Sequence, residues 1–248
     1  MGVPFAVVGG TGLDQLPGLE ITERRTVQTP YGDPSSPISI GEIHGHQLVF
    51  LARHGDDHRI PPHQVNYRAN LWALHRIGVK RVLAVAAVGG ITAEMRPARL
   101  VIPDQIIDYS WGREHSFADG STAHVQHVDF SHPYTPELRE KFIASARALK
   151  LDVVESGVYG CTQGPRLESI AEIRRMARDG CDLVGMTGMP EAGLARELGV
   201  DYACCAVVVN WAAGLGSGDI HAEIDACIEQ GMAGLRRLLE KLIPELAV

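Results

Sequence analysis

Arg53-His54-Gly55 places an arginine and a histidine directly after the apolar run Leu48-Val49-Phe50-Leu51-Ala52. Open α/β sheets bind ligands at such strand ends. The arginine fork matches two phosphate oxygens, and His54 adds a second cation-capable donor. The same residue types would serve a surface salt bridge equally well. Gly9-Gly10-Thr11-Gly12 follows a second apolar run, Phe5-Ala6-Val7-Val8. Glycines there let the backbone approach an anion and Thr11 supplies a hydroxyl, although an ordinary tight turn uses the same residues. The segment is neither a dinucleotide fingerprint nor a Walker loop. Gln15 stands where a third glycine would be, and no GK[ST] follows. Gly185-Met186-Thr187-Gly188-Met189-Pro190-Glu191 leads into a helix. Thr187 and the free N–H groups at that start suit an anion or sugar hydroxyls, or simple capping. Val207-Val208-Val209-Asn210 ends an apolar strand in one amide, whose acceptor and two donors fit a purine edge. A turn-forming asparagine would look the same.

Other chemistries find less support. His124, His127, Asp129 and His132 share one polar loop, but without an HExxH pattern or a cysteine partner, so no metal site is expected. No GxSxG motif occurs. The cysteines at 161, 181, 204, 205 and 227 are odd in number and form no CxxC pair. Cys181, Cys204 and Cys205 lie in apolar stretches, which reads as buried thiols in a reducing compartment.

These residues need a scaffold of alternating strands and helices. Continuous apolar runs at 5–8, 48–52 and 82–88 read as strands buried on both faces. Shorter strands are expected at 101–103, 105–107, 153–158 and 202–209. Helices are expected at 67–77, from the cap Thr135 and the early Pro136 to about 149, at 169–177, at 191–198 and at 221–242. The last carries Ile224, Ile228, Met232, Leu235, Leu239 and Leu242 at three- and four-residue steps. The order predicts an α/β fold over residues 1–248: one domain with a central mixed, largely parallel sheet flanked by helices. The loop 111–131 is long and polar, as functional loops often are. With 248 residues, 45% apolar content and 21% charged content, the chain can build a full core. A net charge of −7 without a basic face argues against nucleic-acid binding. No apolar run approaches the roughly 20 residues of a membrane span, and no signal-peptide pattern opens the sequence. A cytoplasmic location is expected.

Six segments in order resemble the methylthioadenosine and purine nucleoside phosphorylase family, in its trimeric branch. They are GGTG at 9–12, LARHG at 51–55, VNYRANLWAL at 65–74, AVGG at 87–90, QGPRLE at 163–168 and GMTGMPEAGLARELG at 185–199. The resemblance runs from residue 5 to about 240. It implies a homotrimer that uses inorganic phosphate as co-substrate and no metal or organic cofactor. It places Thr11, Arg53, His54, the backbone at Ala86 and Ala87, and Thr187 around phosphate. Met186 would lie under the ribose, and His127 would reach into a neighbouring subunit's 5′ pocket. Asn210, Trp211 and Ala212 fall on the base-contact stretch. His221 lies near a histidine that in ordinary purine nucleoside phosphorylases meets the 5′-hydroxyl.

The base site departs from the adenine-specific branch. That branch carries Asp where Asn210 and Ala212 stand, and a small hydroxyl residue where Glu168 stands. Asn210 and Glu168 match the 6-oxopurine enzymes. A 6-oxopurine presents a protonated N1 and a carbonyl O6, so a carboxylate can accept the N1–H. Adenine reverses that pattern and would leave buried groups unpaired, at about 1–3 kcal/mol each. The expected reaction is phosphorolysis of 5′-methylthioinosine, with Asn210 and His54 as the catalytic pair. The alternatives are a general inosine and guanosine phosphorylase and, in another class, a non-catalytic nucleoside-binding protein on the same fold.

Overall fold

The computed structural model describes residues 5–13, 16–120, 125–216, 218 and 220–246; at 221–223, 225 and 226 only the backbone is described. The strands are β1 (Phe5–Gly9), β2 (Glu20–Arg25), β3 (Ile38–Ile43), β4 (His46–Ala52), β5 (Arg81–Gly90), β6 (Leu100–Val101), β7 (Gln105–Asp108), β8 (Val153–Val154), β9 (Val158–Cys161), β10 (Leu183–Gly185) and β11 (Asp201–Trp211). The helices are α1 (Tyr67–Arg76), α2 (Pro136–Ala148), α3 (Ile170–Arg178), α4 (Gly188–Glu197) and α5 (Ile220–Leu246).

All these strands join one mixed, largely parallel sheet, in the order β2-β3-β4-β1-β5-β10-β9-β7, with β11 on the other edge of β5 and β6 and β8 beyond it. The continuous apolar runs are buried on both faces. In β1, Ala6 and Val8 enter one core while Phe5 and Val7 enter the other. Helices α1 and α4 cover the first core through Leu71, Leu74, Leu194 and Ala195. Helices α2 and α5 cover the second through Leu138, Phe142, Leu235 and Leu242. A smaller cluster holds α3 through Ile173 and Met176.

Three strands, β2, β3 and β10, lie outside the expected set, and one expected strand is split. β3 reads ISIGEI and is largely buried, but Gly41 interrupts its apolar alternation. β2 reads EITERR and is exposed throughout, so no apolar alternation marks it; its charges suit a sheet edge. β10 spans three residues, too few for a periodic signal. The expected strand at 153–158 is two strands. β8 pairs with β6, whereas β9 pairs with β7 and β10. The break falls at Gly157, whose N–H donates to Asp104 Oδ1 at 2.7 Å.

β5 positions the site. Along one edge it pairs in parallel with β1 from Arg81 to Ala84, then antiparallel with β10 at Gly89 and Gly90. Among the described residues, 85–88 of that edge have no ladder partner, because β1 turns away at Gly9 and β10 arrives from the opposite direction. Along the other edge β11 runs beside β5 to Trp211. A notch therefore opens beside β5 where β1, β4 and β11 also end.

Candidate active site

A cavity of about 390 Å³ fills this notch. Gly10 and Thr11 reach it from β1, Arg53 and His54 from β4, Ala86 and Ala87 from β5, and Asn210 and Ala212 from β11. Met186 and Thr187 enter from the turn between β10 and α4, and Glu168 from the loop before α3. Ten residues expected from the sequence thus line one cavity.

Arg53 is 1% exposed, and its fork is already occupied. Nε donates to Glu191 Oε2 at 2.6 Å and Nη2 to Glu191 Oε1 at 2.7 Å, while Nη1 donates to the Val85 carbonyl at 2.9 Å. Glu191, on α4, is 0% exposed and also accepts from the Tyr202 hydroxyl at 2.8 Å. The surface salt bridge gives way to a buried bidentate pair, which takes the Nε/Nη2 edge of the fork. A full charge so deep requires a partner. Burial opposes the guanidinium charge, but the Glu191 carboxylate more than offsets it and the Arg53 pKa is raised. Of the five guanidinium N–H groups, one on each Nη is left outside these bonds.

His54 also differs from its expected form. Its Nδ1 lies 2.8 Å from the Ile60 carbonyl. A carbonyl only accepts, so Nδ1 carries the proton. Burial, with the Arg53 charge adding to it, pushes the imidazole down to about 4. His54 is therefore neutral near pH 7, and its Nε2 is an acceptor rather than a cationic donor. Thr187 stands at the N-cap position of α4, yet its side chain makes no capping bond.

At Asn210 the register slips: Val208 faces Val88, Asn210 faces Gly89, and Val209 is the extra residue of a β-bulge. Bulges commonly re-aim side chains beside sites. The Asn210 amide nitrogen donates to the Trp211 carbonyl at 2.7 Å. This orients the amide and leaves its second N–H and its Oδ1 for a ligand. Glu168 is half-buried and accepts from the Thr162 hydroxyl at 2.6 Å.

Two expected residues lie elsewhere. Trp211 does not line the cavity, because alternation along β11 turns its side chain away; its carbonyl serves Asn210 instead. His127 is exposed and is absent from this chain's own cavity wall. The side chain of His221 lies outside the described residues, as does His124. Among the described residues no three His, Cys, Asp or Glu side chains gather as a metal cluster, and no helix is long and apolar enough to cross a membrane.

Sequence reasoning missed Glu191, although it lies in the segment 185–199. A carboxylate among apolar helix positions was the available signal. It also missed Arg113, which crosses from the loop 111–131 and donates to the carbonyls of Thr162, Gln163, Met186 and Met189. Ile220 and Ile224, at the start of α5, add an apolar wall to the cavity.

The sequence pattern of the Phosphorylase superfamily matches residues 4–244. A probable S-methyl-5′-thioinosine phosphorylase of Xanthomonas campestris is 54% identical over 242 residues, covering 97% of each chain. The 6-oxopurine nucleoside phosphorylase of Pyrococcus furiosus is 44% identical over 97% of this chain and 92% of its own. Methylthioadenosine phosphorylase from Schistosoma mansoni, in complex with adenine, superimposes with a TM-score of 0.91 at 29% identity. That superposition covers 98% of this chain and 92% of the other. With fold, strand-end cavity and near-complete coverage in agreement, the chain belongs to the Phosphorylase superfamily.

Proposed function

We propose that this protein cleaves S-methyl-5′-thioinosine with inorganic phosphate, giving hypoxanthine and 5-methylthioribose 1-phosphate. The observation that carries the reading is the convergence of Arg53, His54, Thr11 and Thr187 on the same cavity as Asn210 and Glu168. The first group suits an anion and the second a 6-oxopurine. The two unspent Arg53 N–H groups, the Thr11 and Thr187 hydroxyls and the free backbone edge at Ala86 and Ala87 hold phosphate. Neutral His54 accepts from the hydroxyl of a monoprotonated phosphate. The anion sits below C1′ as nucleophile while the ribose, resting on Met186, becomes oxocarbenium-like. Negative charge on the departing purine is met by the Asn210 N–H at N7, and Glu168 accepts the N1–H. Positioning and fixed dipoles carry the rate enhancement, and no metal or organic cofactor takes part.

The apolar wall from Ile220 and Ile224 favours a methylthio group over a 5′-hydroxyl. The relative named as a 6-oxopurine nucleoside phosphorylase keeps inosine and guanosine as the second reading. The working form is a cytoplasmic homotrimer in which His127 completes a neighbour's 5′ pocket. The test is phosphorolysis of methylthioinosine, methylthioadenosine, inosine, guanosine and adenosine, with and without phosphate. Phosphate-dependent release of hypoxanthine, fastest from methylthioinosine, is expected. Asn210→Asp places a second carboxylate toward O6 and should lower the kcat/KM ratio of methylthioinosine to methylthioadenosine by at least tenfold. A wild-type ratio below one would overturn the 6-oxopurine assignment, and an unmoved ratio would remove Asn210 from base reading.

A further inference from the structure

Glu168 stands between two cavities. It lines the strand-end cavity and also a second one of about 450 Å³ that contains Thr162, Gln163, Arg166 and Glu172. Thr162 lines only the second. Its hydroxyl lies 2.6 Å from Glu168 Oε1 and 3.3 Å from the Gly185 carbonyl, and the shorter, charge-assisted contact to the carboxylate takes the proton, on the side of the second cavity. The Thr162 backbone is itself held firmly. Its N–H donates to the Gly185 carbonyl at 2.8 Å, and its carbonyl accepts from Arg113 Nη2 at 3.0 Å. Arg166, the nearby cation, is committed to Glu172 through both Nη atoms at 2.8 Å. Among the described residues Thr162 is therefore the hydrogen-bond partner that orients Glu168, whose side chain projects from an irregular segment with several rotatable bonds.

We propose that Thr162 is a positioning residue that sets base selectivity through Glu168; this rests on the assignment of Glu168 to the base. A hydroxyl has one proton to give. Spent on Oε1, it ties down one carboxylate oxygen and leaves Oε2 free to accept the N1–H of a 6-oxopurine. It also keeps Glu168 an acceptor, the wrong partner for the N1 lone pair of adenine. Removing the hydroxyl frees the side chain to turn, and discrimination falls.

The test compares Thr162→Val, Thr162→Ser and Thr162→Ala with Glu168→Ala and the double variant Thr162→Val/Glu168→Ala. Loss of one charge-assisted hydrogen bond predicts about a tenfold rise in methylthioinosine KM for Thr162→Val and Thr162→Ala. The methylthioinosine-to-methylthioadenosine ratio of kcat/KM should fall by a similar factor. The phosphate KM and the melting temperature should hold. Thr162→Ser should recover the wild-type values, and Thr162→Val should add nothing once Glu168 is Ala. A nucleoside KM and ratio unmoved in both Val and Ala variants, with Glu168→Ala impaired, would overturn the role of Thr162 alone. An equal effect of Thr162→Val in the Glu168→Ala background would do the same. A Glu168→Ala enzyme with unchanged nucleoside KM would instead overturn the base-site reading beneath it.

Discussion

Arg53 and Glu191 form a pair that neither residue can leave without cost. Arg53→Ala removes phosphate donors but also strands a buried carboxylate, so it should destabilise the fold by about 3–5 kcal/mol as well as raise the phosphate KM. Replacing both partners with apolar residues separates the two effects. Arg53→Met/Glu191→Leu should regain most of the stability in urea while the phosphate KM stays high. A double variant with wild-type phosphate affinity would remove Arg53 from the anion site. His54 gives a pH signature. Its folded pKa of about 4 lies below the ordinary value of 6.5, because burial disfavours the charged form. The unfolded chain therefore takes up a proton that the native state excludes. This contribution is fully present above about pH 6.5 and is lost as pH falls toward 4, by up to about 3 kcal/mol. His54→Gln should flatten urea midpoints between pH 7 and pH 4.5 relative to wild type. Equal pH slopes in the two proteins would show that His54 titrates normally.

At the scale of elements, the turn after β1 is set by close contact rather than by turn chemistry alone. A Cβ on Gly10 would lie 2.7 Å from the Val85 carbonyl and 2.9 Å from Arg53 Nη1. Both are fixed, one by the sheet and the other by Glu191. Gly10→Ala should therefore push the guanidinium off Val85 and raise the phosphate KM at least tenfold, with a smaller change in nucleoside KM. Phosphate kinetics on the folded variant check this, and an unchanged phosphate KM would mean that the turn yields instead. Helix starts show how tertiary context redirects a local signal. Ser169 and Glu172 form the reciprocal capping box of α3. Thr135, expected to cap α2, makes no side-chain cap bond. Its hydroxyl accepts from the Tyr202 N–H at 3.0 Å and ties α2 to β11.

For the whole molecule, several described residues between 111 and 131 face solvent, although Arg113 turns inward. His127 is exposed, Trp111 is 70% exposed and Val125 is 66% exposed. The proposed trimer would cover such exposed groups. The protein should sediment as an oligomer at assay concentrations. His127→Ala should raise the KM for methylthioinosine with assembly and phosphate KM intact. A monomer with full activity would refute the shared site.

The sequence alone determined the long buried strands, the helices between them and the strand-end positions of Thr11, Arg53, His54 and Asn210. Uninterrupted apolar runs and helical periodicity are local signals, and a chain reports them without knowing its neighbours. It was silent on β2, β3 and β10, where an exposed edge, a strand interrupted by Gly41 and a three-residue strand carry no clear apolar pattern. It could not say that Arg53 meets Glu191, 138 positions away, nor that His54 spends Nδ1 on Ile60 and so stays neutral. It left Arg113 unremarked on its loop and assigned Trp211 to the ligand. Hydrogen-bond partners, burial and the resulting charge states depend on distances across the fold. The tertiary structure decided them because a buried charge or amide must be satisfied by whatever the packed sheet and helices bring within reach.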